Sequence, residues 1–312
     1  MGLGKGSGRD HLITMSMQDA FAAYQSVRHR LPDVQREAPC HPARDLSAIA
    51  DQFDVFLLDA FGVLNIGETP IQGVPERVAA LQAMGKRILV VTNAAGQPHA
   101  TLRKKYAKLG YNIAREDIIS SRLTTLKALE DEPKRRWGVM ADKGLGDEDF
   151  GHLDFEFLGD DRHLYDSAEG FLLLGSAKWT EDQQVLLEQS LARAPRPVFV
   201  GNPDIVAPRE TGFSVEPGRF AHRLADQSGV QPRFFGKPFR NIYDLAFARL
   251  GPGYDPSRVV MVGDSLHTDI LGGQTAGVKT ALISGFGFFA DQDVATSVAA
   301  SGIQPDFILD RP

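Results

Sequence analysis

From residue 54 onward the chain alternates between short, continuous apolar runs and longer segments in which apolar residues recur at helical spacing. The runs VFLL at 55–58 and ILVV at 88–91 predict strands that are buried on both faces. The segments VPERVAALQAMG and QPHATLRKKYAKLG each end in glycine and predict amphipathic helices. Strands that alternate with helices in this way predict an α/β fold, with a doubly wound parallel sheet between two layers of helices.

The character of the sequence changes near residue 135 and changes back near residue 232. Between these points the runs WGVMA, FEFL, FLLLGS and PVFVGN predict strands, and EDQQVLLEQSLARA predicts a long helix. We therefore expect an inserted α/β domain at 135–231 and a main domain formed by 48–134 and 232–312. Residues 1–47 are expected to hold a glycine-rich tail, a helix over 17–31 outside the main fold, and a proline-broken linker over 32–45.

The composition of the 312 residues argues against several classes of function. The net charge is −6 and no dense run of lysine or arginine occurs, which argues against nucleic acid as a partner. No apolar run approaches the roughly 20 residues that span a bilayer, so no membrane segment is expected. The chain has one cysteine and lacks the apolar core of a secretory signal at its start, which fits a reducing compartment such as the cytoplasm.

Polar side chains follow several of the predicted strands, at the sheet edge where parallel α/β proteins bind ligands. Taken singly, each of them is commonly a helix cap, a turn former or a solvated lysine. Together they supply carboxylates, a hydroxyl, an amide and an ammonium, which suit Mg²⁺ and a phosphoryl group. The residues are Asp59 after VFLL, Thr92 and Asn93 after ILVV, Lys237 after RFF, and Asp264 and Asp269 after VVMV.

The order of these motifs, DxxGVL, VVTN, GKP and VGDxxxTDI, resembles that of the haloacid dehalogenase superfamily. With GNPD at 201–204 in the inserted domain, the chain is similar to class IIA members that carry a C2-type cap, a group that includes p-nitrophenyl and pyridoxal phosphatases. The resemblance covers roughly residues 48–312 and implies that 135–231 is the cap. It also implies a small phosphorylated metabolite as substrate and leaves a homodimer open.

The resemblance implies a role for each matching residue. Asp59 is expected to be the nucleophile that becomes an aspartyl-phosphate, and Lys237 to balance the charge around it. Mg²⁺ is the expected cofactor, held by four groups: Asp59, the backbone carbonyl of Phe61, Asp264 and Asp269. Phosphate and substrate are expected to bind at three more residues: Thr92, Asn93 and Asp204.

Phe61 departs from the phosphatase pattern. In the family's phosphatases the residue two places after the nucleophile is an aspartate, which protonates the leaving oxygen and later activates water. Phenylalanine can do neither, and such acid–base help is worth about 100- to 10,000-fold in rate. Three interpretations stay open: a phosphatase whose acid is atypical or missing, with Asp204 as one substitute; a dehalogenase-like hydrolase; and a phosphometabolite-binding protein with little or no turnover.

Other polar and aromatic residues carry weaker expectations. His267 is expected at the surface or at a helix start, because Mg²⁺ prefers oxygen ligands. Arg209 and Arg219 of the cap could each face the substrate. The run GFGFF at 285–289 is expected to serve loop packing rather than to bind a cofactor.

Overall fold

The computed structural model describes residues 15–34, 39–151, 153–209, 212–290 and 292–312. The predicted glycine-rich tail lies before residue 15 and therefore outside the described residues. Helices occupy the following ranges: α1 Met17–Ser26, α2 Leu46–Ile49, α3 Val74–Ala83, α4 His99–Lys108, α5 Ser121–Leu129, α6 Arg162–Ser167, α7 Glu181–Arg193, α8 Pro217–Ser228, α9 Arg240–Leu250, α10 Leu271–Ala276 and α11 Val294–Ser301. Within the described ranges, none of the helices is long and apolar enough to cross a membrane.

Strands occupy these ranges: β1 His41–Ala43, β2 Val55–Leu58, β3 Asn65–Ile66, β4 Thr69–Pro70, β5 Arg87–Thr92, β6 Ile118–Ser120, β7 Arg136–Met140, β8 Asp154–Phe157, β9 Gly170–Leu173, β10 Val198–Val200, β11 Val206–Pro208, β12 Phe213–Val215, β13 Arg233–Phe234, β14 Val259–Gly263, β15 Lys279–Ile283 and β16 Phe307–Leu309. A π-helical turn, Leu266–Ile270, precedes α10.

The main domain is built on a seven-stranded sheet with the order β1-β16-β15-β14-β2-β5-β6. All of its pairs are parallel. Successive residues of β2 enter different clusters: Phe56 packs with residues of α3 and α4, and Leu57 packs with residues of α9. The sheet is therefore covered on both faces, because its apolar strands must be buried on both sides. The predicted doubly wound α/β fold is confirmed.

The inserted domain has its own parallel sheet of five strands, in the order β13-β10-β9-β7-β8. Helices α7 and α8 cover one face through Leu187, Leu191 and Leu224, and Trp137 packs with Phe199 on the other. The last strand, β13, lies at 233–234 and pairs with β10. This sheet therefore includes two residues that the prediction gave to the main domain.

The prediction that the N-terminal helix lies outside the main fold is wrong. Ala20 and Tyr24 of α1 are buried in one cluster with Leu266 and Phe288 of the main domain. The apolar side of an amphipathic helix is stabilised by burial, and here the main domain supplies the surface. The expected linker also contains a strand, since β1 pairs with β16 at the edge of the main sheet.

Candidate active site

Three adjacent strands bring the predicted residues to one edge of the main sheet. Asp59 follows β2, Thr92 ends β5, and Asp264 follows β14. In the parallel register Leu58 of β2 lies opposite Val262 of β14 and Val90 of β5, so the three strands end at nearly the same level. This neighbourhood at the carboxyl ends is what the sequence pattern predicts.

Lys237 lies at the centre of the site, and its side chain is only 2% exposed. Its Nζ forms ion pairs with the carboxylate of Asp59 and with Oδ1 of Asp269, the latter at 2.7 Å. The side chain of Asn93 forms hydrogen bonds with both the backbone N–H and the backbone carbonyl of this lysine. The Lys237 N–H donates to Asn93 Oδ1 at 2.8 Å, and Asn93 Nδ2 donates to the Lys237 carbonyl at 2.9 Å. The end of β5 thereby fixes the lysine loop.

A cluster of three carboxylates surrounds this lysine. One oxygen each of Asp59, Asp264 and Asp269 lies within 4.8 Å of the others. Asp269 Oδ2 also accepts hydrogen bonds from the backbone N–H groups of Asp264 and Ser265, both at 3.1 Å. Lys237 supplies one positive charge to three carboxylates, so a divalent cation would complete the charge balance. Hard carboxylate oxygens are the donors that Mg²⁺ prefers, and the residues present therefore fit that ion.

Burial and the neighbouring charges set the protonation of this cluster. Burial and the Asp269 charge raise the pKa of Asp59 to about 7, against the opposing effect of Lys237. Burial and the same neighbour also raise the pKa of Asp264 well above its usual range. Burial disfavours the ammonium of Lys237, but Asp269, Asp59 and Asp204 outweigh it and raise the pKa of the lysine. Without a further cation, Asp264 therefore favours its protonated form.

Two glycines with positive φ enclose Asp264. Gly62, at φ +74°, would place a Cβ 2.6 Å from the Cβ of Asp264, and Gly287, at φ +70°, would place one 2.8 Å from the same atom. The Phe288 N–H donates to Asp264 Oδ2 at 2.8 Å. Phe288 and Phe289 are also buried, so the GFGFF segment packs as predicted. The contact of its backbone with the site was not predicted.

Phe61 presents a half-buried ring to the cleft between the two domains. Lys105 Nζ of α4 lies 5.0 Å from the ring centroid, and Arg209 Cζ lies 5.1 Å from it. Both cations also pair with carboxylates, Lys105 with Glu68 at 2.7 Å and Arg209 with Glu216 at 3.1 Å. At the position where the resemblance implies an acid, this chain carries an aromatic ring in contact with two cations.

The cleft has a volume of about 210 Å³ and takes its walls from both domains. Asp204 of the inserted domain accepts a hydrogen bond from Asn93 Nδ2 at 2.8 Å, which links the two walls. Burial raises the pKa of Asp204 to about 8, so this carboxyl group keeps its proton near neutral pH. Arg209 lines the cleft, whereas Arg219 is exposed on α8 and is not part of the lining.

Two tyrosines of the cleft were missed by sequence reasoning. Tyr106 of α4 is buried and lines the cleft. Tyr24 of α1 is 3% exposed and also lines the cleft. Their sequence signal is only that of apolar positions at helical spacing, which predicts packing and says nothing of a site.

Of the two positions expected for His267, the structure shows the helix start and not the surface. This residue lies in the π-helical turn at the start of α10, where its side chain is only 1% exposed. Helix α1 covers it, since Tyr24 stacks on the imidazole ring and Gln25 Oε1 lies 2.7 Å from its Nε2. The helix start was predicted, but the burial depends on a helix that was expected elsewhere.

Known families match both halves of the main domain. Residues 56–152 match the family model described as haloacid dehalogenase-like hydrolase, and residues 234–311 match the model described as HAD-hydrolase-like. The two ranges together cover more than half of the chain. The chain belongs to the haloacid dehalogenase-like hydrolases. Within this family, the hydrolase is 28% identical over 298 residues to the glycerol-3-phosphate phosphatase of Homo sapiens, an alignment covering 86% of this chain and 91% of that protein.

A second curated relative of the hydrolase is the 4-nitrophenylphosphatase of Schizosaccharomyces pombe, at 24% identity over 86% of this chain and 94% of that protein. Among solved structures, a possible sugar phosphatase from Cytophaga hutchinsonii has the same fold, with a TM-score of 0.74 and 23% identity, covering 88% of this chain and 98% of that one. These likenesses agree with the class IIA resemblance of the motifs, and the hydrolase is of the phosphatase type.

Proposed function

We propose that this hydrolase is a Mg²⁺-dependent phosphatase that cleaves a small phosphate monoester through an aspartyl-phosphate at Asp59. The observation that carries the proposal is the buried Lys237, which bridges Asp59 and Asp269 beside the third carboxylate, Asp264. Such an arrangement costs desolvation free energy, and a structural role alone does not require three carboxylates around one ammonium.

In this proposal each step uses residues of the chain. A carboxylate oxygen of Asp59 attacks phosphorus, and the bond from phosphorus to the ester oxygen breaks with its electron pair going to that oxygen. Water then attacks the phosphorus of the aspartyl-phosphate, which releases phosphate and restores the Asp59 carboxylate. Lys237 offsets the negative charge near Asp59, and Thr92 offers its hydroxyl to the phosphoryl oxygens. Both side-chain N–H groups of Asn93 are used by Asp204 and by the Lys237 carbonyl, so Asn93 would bind phosphate through its backbone N–H. Bound Mg²⁺, held by Asp59, Asp264, Asp269 and the carbonyl of Phe61, would stabilise the charge on those oxygens.

The leaving oxygen needs a proton unless it departs as a stable anion. Phe61 has no proton to give, and its neighbours Lys105 and Arg209 are cations that stabilise negative charge rather than act as strong acids. Asp204 is the candidate donor, because it lies in the cleft and its pKa of about 8 keeps it protonated. Because position 61 supplies no acid and Asp204 belongs to the opposite, inserted domain, we infer a preference for esters whose leaving groups are stable anions, such as nitrophenolate, which need no proton.

The cleft also limits the size of the substrate. A volume of about 210 Å³ admits a small phosphate ester. The names of the two curated relatives are consistent with this class, since they refer to glycerol 3-phosphate and 4-nitrophenyl phosphate.

The test is hydrolysis of p-nitrophenyl phosphate with and without Mg²⁺ by the wild type, Asp59→Asn and the surface control Asp51→Asn. We expect Mg²⁺-dependent turnover that Asp59→Asn abolishes and Asp51→Asn leaves intact, because Asp51 is exposed outside the cleft. Mass spectrometry of the quenched wild type should locate a phosphoryl group on the peptide that contains Asp59. Binding of ester and Mg²⁺ without turnover would instead identify a phosphometabolite-binding protein.

A further inference from the structure

Helix α1 lies outside both ranges that match the family models, yet it reaches the candidate active site through Tyr24. The tyrosine ring stacks on His267, with centroids 5.1 Å apart and an interplanar angle of 11°, and meets Phe288 edge-on at 6.1 Å. Its hydroxyl accepts a hydrogen bond from the backbone N–H of Ile205 at 3.0 Å. One side chain therefore contacts both domains.

Each partner of Tyr24 is next to a residue of the site. His267 lies in the turn between Asp264 and Asp269, and the Phe288 N–H donates to Asp264. On the other wall, Ile205 directly follows Asp204, whose Oδ1 accepts from Asn93. A movement of Tyr24 would therefore shift the carboxylate cluster on the core side and the loop that carries Asp204 on the cap side.

The rest of the N-terminal segment is also anchored to both domains. On the core side, Gln25 Nε2 donates to the carbonyl of Ala300 at 3.0 Å. On the cap side, Arg30 forms an ion pair with Asp226 of α8. One apolar cluster joins residues of α1 to residues of both domains: Ala20, Tyr24, Val206, Phe213, Leu266 and Ile270.

We propose that Tyr24 is a positioning residue of the active site, which holds the cap segment 204–206 against the turn that carries Asp264 and Asp269. While Tyr24 occupies this position, the hydrogen bond from Asn93 to Asp204 across the cleft is kept. Helix α1 thus fixes the closed arrangement of the two domains, which limits the cleft to small esters. The catalytic part of this inference rests on the proposed phosphatase function, whereas the structural part does not.

The electrostatics of the tyrosine agree with this role. Burial, together with the charges of Asp204 and Asp264, raises the pKa of Tyr24 well above its usual range. The hydroxyl therefore stays neutral, and it can accept from the Ile205 N–H without adding a negative charge beside two carboxyl groups.

Hydrogen exchange of the backbone tests the structural part. Tyr24→Phe keeps the ring and removes only the acceptor of the Ile205 N–H. The matched control is Tyr165→Phe, which removes a buried hydroxyl that donates to the Gly159 carbonyl at 2.7 Å within the cap. We expect exchange in the segment 200–209 to become about tenfold faster in Tyr24→Phe, equivalent to about 1.4 kcal/mol. Equal exchange in the two variants would overturn the inference.

Kinetics test the catalytic part on the same proteins with p-nitrophenyl phosphate. Tyr24→Phe should raise KM by several-fold with a smaller change in kcat, because the cap wall is no longer held over the ester; Tyr165→Phe should change neither. If exchange responds but the wild type has no turnover, the proposed function fails and the positioning role stands. If the wild type turns over the ester but hydrogen exchange is unchanged in Tyr24→Phe, the positioning role fails and the proposed function stands. Arg30→Gln offers a second perturbation of the same segment, with a smaller increase in exchange expected.

Discussion

Gly62 offers the sharpest test of the proposed metal site. In Gly62→Ala the added Cβ would lie 2.5 Å from Cγ and 2.6 Å from Cβ of Asp264. Carbon atoms in contact are normally about 3.5–4.0 Å apart, so the aspartate must retreat by about 1 Å. It has no room to do so, since Gly287 and the Phe288 N–H close its other side. The positive φ itself adds about 1–2 kcal/mol of strain for alanine.

A shift of this size exceeds what a Mg²⁺ site tolerates. Ligand distances in metal sites hold to about ±0.2 Å, and Mg²⁺ demands near-octahedral geometry. We therefore expect Gly62→Ala to bind Mg²⁺ at least about 100-fold more weakly, the upper end of the losses seen when a ligand's supporting contact is removed. Isothermal titration with Mg²⁺, and the Mg²⁺ dependence of p-nitrophenyl phosphate hydrolysis, measure this directly.

Gly73 provides the matched control. Its φ is +81°, close to that of Gly62, but a Cβ added there meets no atom within 4 Å. Gly73→Ala should therefore lose only the roughly 1–2 kcal/mol of backbone strain that both variants share, and should keep wild-type affinity for Mg²⁺. Wild-type affinity in Gly62→Ala, or an equal loss of affinity in both variants, would refute a metal site at Asp264.

Three further predictions follow from the same geometry. Phe61→Asp should raise kcat/KM on an alkyl phosphate by about 100-fold and on p-nitrophenyl phosphate only slightly. The expected gain is at the low end for acid–base help because the nearby cations keep the new carboxyl group ionised. Lys237→Met should lower the free energy of unfolding in urea without Mg²⁺ by about 3–5 kcal/mol, since it leaves buried carboxylates unpaired. Burial lowers the pKa of His267 to about 3, so the unfolded chain takes up this proton first and stability should fall as pH drops below 6.5. His267→Asn should remove that part of the slope, which is at most about 1.4 kcal/mol per pH unit.

Each of these predictions has a control variant or an outcome that would contradict it. Phe61→Asn removes the ring without adding an acid, and equal rate gains in the asparagine and aspartate variants would count against a missing acid. Lys279→Met breaks an ion pair with Asp306 whose lysine is 39% exposed, and should cost under about 1 kcal/mol. An unchanged slope of stability between pH 4 and 6.5 in His267→Asn would show that the histidine is not buried in the neutral form.

The sequence alone determined the features that depend on short-range patterns. Apolar runs of strand length, separated by amphipathic segments, specify the parallel sheet, and its strand ends specify where Asp59, Thr92 and Asp264 meet. This works because parallel strands that are buried on both faces must be apolar throughout, so a polar residue at their end stands out. The family resemblance, and the departure from its phosphatase motif at Phe61, could likewise be recognised from a few residues.

Only the tertiary structure decided how distant segments complete the site. Tyr24 occupies an ordinary apolar position of a helix, and nothing near it in sequence shows that it joins Ile205 of the cap to His267 of the core. The same holds for Gly287, whose missing Cβ matters because Asp264 occupies that space. Such contacts arise from packing between segments far apart in the chain, and a local pattern records whether a side chain is buried but not which surface buries it.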